Sequence, residues 1–151
     1  MTETERYLYS YNYAIKEKTR LIKALEALRV QYTNYEAQYP CGLTALRNRA
    51  TREVKRPTEQ AAIYLVDHLS ADIQKLNDSI RNETLKLSAI ENLVDSAGLN
   101  GREREYVRLK YYEGKSREYI AMQWCKSVET VSLTRRSALE KIERKRLIIV
   151  K

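Results

Sequence analysis

The longest regular pattern in the chain lies at residues 57–96, which read PTEQAAIYLVDHLSADIQKLNDSIRNETLKLSAIENLVDS. Apolar side chains recur there in alternating steps of four and three residues, with one polar member, Glu83. This spacing keeps one face of a helix apolar and is typical of a coiled-coil seam. It predicts a helix from about 58 to 96 that packs against a partner helix. The seam consists of Ala62, Val66, Leu69, Ile73, Leu76, Ile80, Glu83, Leu87, Ile90 and Val94.

The N-terminal segment is the predicted partner of this helix. A second apolar stripe runs from Leu8 to Tyr39. Four tyrosines between residues 7 and 13 alternate with a period of two, which is typical of a strand. The helical stripe nevertheless continues through Ile15 and Ile22, so a helix over about 5–38 is predicted. The two helices then form a long antiparallel hairpin, through which we expect the chain to form a homodimer.

The charge is unevenly distributed along the 151 residues, which suffice for one ordinary domain or two small ones. The net charge is +8, yet residues 57–100 carry three basic and seven acidic groups. Residues 101–151 carry 14 basic and seven acidic groups. A basic end beside an acidic middle is typical of a polyanion-binding module joined to another element. We predict a helical hairpin at 1–98, with a basic connector at 40–57, and a second domain at 99–151.

The connector between the two hairpin helices has two interpretations. It contains five basic residues against one acidic residue, Glu53. It is either a second element that contacts phosphates or a solvated link between the helices. The basic residues are Arg47, Arg49, Arg52, Lys55 and Arg56.

Several classes of function are excluded by composition. One His and two Cys, Cys41 and Cys125, cannot form a zinc site from Cys and His alone. No phosphate-binding, metalloprotease or nucleophile-elbow motif occurs, so neither enzymatic activity nor a cofactor or metal is expected. No apolar run approaches the ~18 residues of a membrane span, and no signal-peptide pattern opens the chain. A soluble protein of the bacterial cytoplasm, with no membrane partner, is therefore expected.

The segment from residue 99 onward predicts two short helices and a longer one. Gly114 ends the first helix, Ser116 caps the second, and Ser127 caps the last, which runs from Val128 to at least Ile142. The turn between the second and last helices is Trp124-Cys125-Lys126. This arrangement predicts a helix-turn-helix. Its predicted core residues are Ile120, Trp124 and Val131.

This segment resembles region 4 of bacterial sigma factors. The resemblance lies in GREREYVRLKYYEGKSREYIA at 101–121, SVETV at 127–131 and RSALEKI at 136–142. It implies that the last helix reads a −35 promoter element. The turn of that family usually carries Gly where Cys125 stands, because that position tends toward left-handed backbone. A long helical hairpin before such a module is similar to small phage and prophage transcription regulators of Gram-positive bacteria, which are associated with late phage genes.

Reading DNA requires polar and apolar groups on the face of the last helix opposite its core. Arg136 is suited to guanine O6 and N7 or to a phosphate, Glu129 to cytosine N4, and Leu133 to a thymine methyl group. Ser127 at the helix N-terminus is suited to a phosphate. The resemblance implies base or backbone contacts for four members of this face, Glu129, Thr130, Ser132 and Leu133. The complete predicted DNA-binding set is Lys126, Ser127, Glu129, Thr130, Ser132, Leu133, Arg135 and Arg136.

Together these features predict an all-α protein that binds double-stranded DNA at promoters and acts as an activator with host RNA polymerase. Two alternatives stay open. One is a small terminase subunit, which also joins a helix-turn-helix to helical oligomerisation segments. The other is a coiled-coil adaptor whose helix-turn-helix binds polymerase or another regulator rather than DNA.

Overall fold

The computed structural model of the protein describes residues 2–38 and 57–149, with side chains described at 2–34 and 63–148. Nearly all of these residues are helical, and no strand occurs in these ranges. The predicted all-α class is therefore confirmed for the described part of the chain. The elements are α1 (Glu3–Gln38), α2 (Pro57–Ser96), α3 (Gly101–Val107, continued by a π-helical segment, Arg108–Tyr112), α4 (Arg117–Gln123) and α5 (Val128–Ile149).

One predicted feature, the basic connector, falls almost wholly outside this description. The basic connector between the long helices lies outside the described residues except for Pro57, which opens α2. Cys41 and Val150 also lie outside them. Both interpretations of the connector stay predictions.

The tyrosines near the N-terminus lie on a helix, as the apolar stripe predicts. The strand that their period of two would indicate does not form. Tyr11 stacks on Tyr112 with ring centroids 3.8 Å apart, and its hydroxyl donates to the Glu91 carboxylate at 2.6 Å. Tyr9 meets Tyr111 edge to face at 4.9 Å. These side chains join the first turns of α1 to the end of α2 and to the π-helical segment, so their role is packing.

The described helices contribute to two compact units. One contains α1 up to Glu17 together with the chain from Glu83 onward, and the other contains Lys18–Asn82. The hydrophobic core of the first unit contains residues from both sides of residue 98. The predicted division into domains at 1–98 and 99–151 therefore stays a prediction. The largest fully buried side chains in this core are Leu8, Ile90, Tyr106, Val107, Tyr111, Ile120, Val131 and Ile142.

The second unit buries fewer apolar side chains. Leu25 of α1 and Val66 of α2 are its buried apolar residues within the described part of the chain. The seam positions that follow Val66 in α2 are only half-buried. They are Leu69, Ile73, Leu76 and Ile80.

A widened turn after α3 sets the position of α4. The amide of Glu113 donates to the carbonyl of Arg108 at 2.9 Å, which is an i to i−5 bond. Gly114 follows with φ +72°, a left-handed conformation that disfavours residues with a Cβ. A Cβ there would meet the Asn12 amide nitrogen at 3.4 Å, and that nitrogen itself donates to the carbonyl of Tyr112 at 3.0 Å. Gly114 therefore ends the helix as predicted.

A buried carboxylate joins the start of α3 to α5. Glu103 and Asn100 form a reciprocal capping box in which both hydrogen bonds measure 2.8 Å. The same carboxylate accepts from Lys141 at 2.7 Å and from Ser137 at 2.6 Å. Burial disfavours the charged form, but the hydrogen bonds from Lys141, Ser137 and the Asn100 amide outweigh it and hold the pKa of Glu103 below its usual value.

This depressed pKa predicts acid sensitivity. An unfolded chain binds a proton on Glu103 at a higher pH than the folded chain does, so stability rises with pH in that interval. The stabilisation is complete above the ordinary value of 4.5 and is lost as the pH falls through the lower folded pKa. Urea unfolding monitored by circular dichroism from about pH 6 to about pH 3 is expected to show this decline.

A pair of variants isolates the contribution of this carboxylate. Glu103→Gln is expected to cost about 2 kcal/mol at neutral pH and to flatten the acid slope, because it leaves the buried site without its charge. Glu140→Gln removes an exposed carboxylate of α5 and is expected to change stability by less than about 0.5 kcal/mol. Equal effects of the two substitutions would contradict the role given to Glu103.

Candidate nucleic-acid interface

The helix α4 is fixed at its start by a cap and along its length by burial. The Ser116 hydroxyl accepts from the amide of Tyr119 at 3.1 Å, as expected of an N-cap. Ile120, a predicted core residue, is buried, and so is Ala121. Met122 on this helix is 71% exposed. The inner side of α4 thus belongs to the core, and its outer side faces solvent.

The turn between α4 and α5 has the geometry of a Schellman motif. The amide of Cys125 donates to the carbonyl of Met122 at 3.1 Å, and the amide of Lys126 donates to the carbonyl of Ala121 at 3.0 Å. Cys125 has φ +51°, which is left-handed backbone. Trp124 is half-buried against the core. The chain therefore makes this tight turn with a cysteine at a position that favours glycine.

The first turn of α5 is held by hydroxyl groups. Ser127 accepts from the amide of Thr130 at 3.3 Å, and the two hydroxyl oxygens lie 3.0 Å apart. The Ser132 hydroxyl donates to the carbonyl of Val128 at 2.9 Å. Ser127 is thus the N-cap that the sequence predicts, and its side chain is exposed together with that of Lys126. Acceptor lone pairs on these hydroxyls stay available to a ligand.

Two faces of α5 differ sharply in burial. Val131, Ala138 and Ile142 are buried in the core. On the opposite side, Leu133 is 69% exposed and the Arg136 side chain is 80% exposed. Six of the predicted DNA-binding residues lie on this side of the helix, and each of them is exposed or half-buried. They are Ser127, Glu129, Thr130, Ser132, Leu133 and Arg136.

Arg136 is held loosely in the described structure. Its Nε lies 3.3 Å from the Glu140 carboxylate, one turn further along α5. Both side chains are mostly exposed, so this pair contributes at most about 0.5 kcal/mol. The guanidinium is consequently free to exchange this partner for another acceptor.

Arg135 lies apart from the other predicted residues. Its Nε and Nη2 donate to Oε1 of Glu5 at 2.9 and 2.6 Å, and its side chain is only 36% exposed. The spacing explains this position, since residue 135 follows Val131 by one helical turn and precedes Ala138 by another. Arg135 thus borders the core stripe, whereas Arg136 is rotated away by about 100°.

Sequence reasoning did not identify a group of residues that lines a cleft beside Arg135. The cleft also contains Glu5 and Tyr9 of α1, Lys110 of the π-helical segment and Arg117 of α4. No local motif indicates such a site, because its members come from four separate elements that span 130 positions of sequence. The only available signal was the excess of basic residues after residue 100.

Two negative observations apply to the described residues. No group of three or more His, Cys, Asp or Glu comes together there in a manner that could hold a metal ion. No helix in the same part of the chain has the length and apolar character to cross a bilayer.

The left-handed cysteine gives a direct test of the turn. Cys125→Gly is expected to raise the free energy of unfolding by about 0.5–1 kcal/mol, because glycine adopts φ +51° without steric strain. Cys125→Ala is the matched control, since it removes the thiol and keeps the Cβ; it is expected to leave stability nearly unchanged. Denaturant unfolding measures both variants. A destabilised glycine variant would mean that the turn does not have this conformation.

Comparison of the chain with family models, with curated proteins and with solved structures finds no match in any of the three.

Proposed function

We propose that this protein is a sequence-specific DNA-binding transcription regulator, in which α4, the turn and α5 form a helix-turn-helix and α5 enters the major groove. The observation that carries the proposal is the exposed face of α5, which combines an apolar Leu133 with a loosely held Arg136. The resemblance to sigma region 4 supports the same function. It also suggests a phage or prophage origin and activation with host RNA polymerase in the bacterial cytoplasm.

The chemistry of this face suits base edges. Arg136 offers a planar fork for guanine O6 and N7, once it leaves Glu140. Leu133 offers an apolar surface for a thymine methyl group, and Glu129 an acceptor for cytosine N4. Lys126 and Ser127 precede the helix and are suited to phosphates. The Ser127 cap and the Schellman turn preorganise this set, so little conformational entropy is lost on binding.

Arg135 is left out of the proposed contacts. Its guanidinium already satisfies the nearly buried Glu5 carboxylate, and removing it from Glu5 would leave that charge unpaired. We assign Arg135 a positioning role, in which it holds α5 against α1 from the side opposite the DNA.

The long helices are proposed to form an antiparallel hairpin that dimerises. The bond between Tyr11 and Glu91 supports the hairpin, because it joins the first turns of α1 to the last turns of α2. The half-buried seam of the second unit supports dimerisation, since a second copy would cover these apolar positions. Two helix-turn-helix units would also supply the affinity that one small unit seldom reaches.

The adaptor alternative has one observation in its favour. Met122 and Leu133 are large apolar residues exposed on α4 and α5, and exposed apolar side chains also serve protein contacts. The terminase alternative rests on architecture only. These alternatives predict different oligomers and ligands, so a footprinting experiment separates them.

The decisive experiment is footprinting of the purified protein across the DNA of its own phage or host. A dimer that protects discrete promoter sites at moderate salt is expected, with affinity that falls steeply as salt rises. Ring-like oligomers with loose sequence preference would indicate the terminase alternative. Absence of any discrete protected site, together with capture of polymerase, would indicate the adaptor.

A matched pair of arginine variants tests the proposed reading helix. Arg136→Ala is expected to weaken specific binding about tenfold or more and to relax preference at one base position. Arg144→Ala removes the same charge from a later exposed position on α5 and is expected to weaken binding by less. Electrophoretic mobility shift at fixed salt measures both. Equal affinities of the two variants would contradict base reading by Arg136.

A further inference from the structure

The cleft beside Arg135 is assembled from four separate elements. Glu5 and Tyr9 come from α1, Lys110 from the π-helical segment, Arg117 from the first position of α4 and Arg135 from α5. Its volume is about 300 Å³, at the lower end of the range for small-ligand sites. The cleft lies within one compact unit, so its lining does not depend on the second unit.

The only carboxylate in the lining, that of Glu5, already accepts hydrogen bonds at both of its oxygens. Glu5 Oε1 accepts both hydrogen bonds from Arg135 and a third from the Tyr111 hydroxyl at 3.1 Å. Its Oε2 accepts from the amide of Thr2 at 3.2 Å. The charges of Glu5 and Arg135 therefore cancel. Lys110 and Arg117 leave the lining with two uncompensated positive charges.

Both of these cations have donors to spare. The Lys110 ammonium group donates to the carbonyl of Lys115 at 3.3 Å, which uses one of its three hydrogens. Arg117 is exposed, and among the described residues its guanidinium has no hydrogen-bonded or ion-pair partner. Glu118 interacts electrostatically with both cations, but it is exposed and does not line the cleft. A ligand in the cleft would thus find several free N–H donors.

We infer that this cleft binds a phosphate group, held by Arg117 and Lys110. A phosphate monoester carries close to two negative charges at neutral pH and a backbone phosphodiester carries one, so either is attracted to the two uncompensated cations. Its tetrahedral oxygens accept from a guanidinium fork and from an ammonium point charge at the same time. The phosphate belongs either to the DNA backbone or to a small phosphorylated molecule. The inference holds whether or not α5 reads bases.

The first arm of the test uses inorganic phosphate. Wild-type protein is expected to bind it in calorimetric titration and to gain thermal stability in phosphate over chloride of the same ionic strength. The double variant Lys110→Gln with Arg117→Gln is expected to bind at least tenfold more weakly, because it removes both charged donors. The control Arg102→Gln with Arg144→Gln removes two exposed charges elsewhere and is expected to bind like wild type. Circular dichroism establishes that all proteins are folded.

The second arm identifies the source of the phosphate with a duplex of arbitrary sequence. If the DNA backbone is the ligand, the cleft variant lowers the salt slope of duplex binding by about one more than the control does, because one phosphate contact is lost. If a small molecule is the ligand, the two variants bind duplex alike while the cleft variant alone loses inorganic phosphate. If the cleft variant matches the control in both phosphate and duplex binding, the inference is overturned. Because neither probe contains an operator, this outcome is distinct from a failure of base reading.

Discussion

The ion pair between Glu5 and Arg135 is the contact on which the arrangement of the first unit depends. It joins the first turns of α1 to the middle of α5 across 130 positions of sequence, at 2.6 Å. Burial disfavours the Glu5 charge, but the bonds from Arg135, the Thr2 amide and Tyr111 outweigh it, so the pKa of Glu5 lies below its usual value. A carboxylate that is only 5% exposed needs such partners, and removing one of them leaves a buried charge.

This contact links the N-terminal helix to the proposed recognition surface. Because Arg135 holds α5 from its inner side, the next residue, Arg136, is directed outward. The capping box of Glu103, with its bonds to Ser137 and Lys141, fixes the same helix one turn further on. The start of α1 is therefore part of the support of α5. The proposed phosphate cleft lies at this junction, where the Glu5 carboxylate is satisfied and two neighbouring cations are not.

The sequence predicted those features whose signals are local. Ser116 and Ser127 as caps, Gly114 as a helix end and the core positions Ile120 and Val131 follow from short-range pattern and backbone chemistry. Arg135 was grouped with Arg136 because adjacent basic residues look alike in a sequence. Helical spacing already puts Arg135 beside the core stripe and Arg136 away from it, but the pairing of Arg135 with the distant Glu5 is visible only in the fold. The cleft could not be predicted for the same reason, since pairings between distant elements leave no spacing rule in the sequence.

Arg135 stabilises the fold by pairing with Glu5. A double-mutant cycle with Glu5→Gln, Arg135→Gln and the combined variant, measured by urea unfolding at neutral pH, tests it most directly. We expect each single variant to be strongly destabilised and the coupling energy to be about 2 kcal/mol or more, because each substitution leaves the other partner uncompensated. A coupling energy below about 0.5 kcal/mol, as is usual for exposed pairs, would contradict the account.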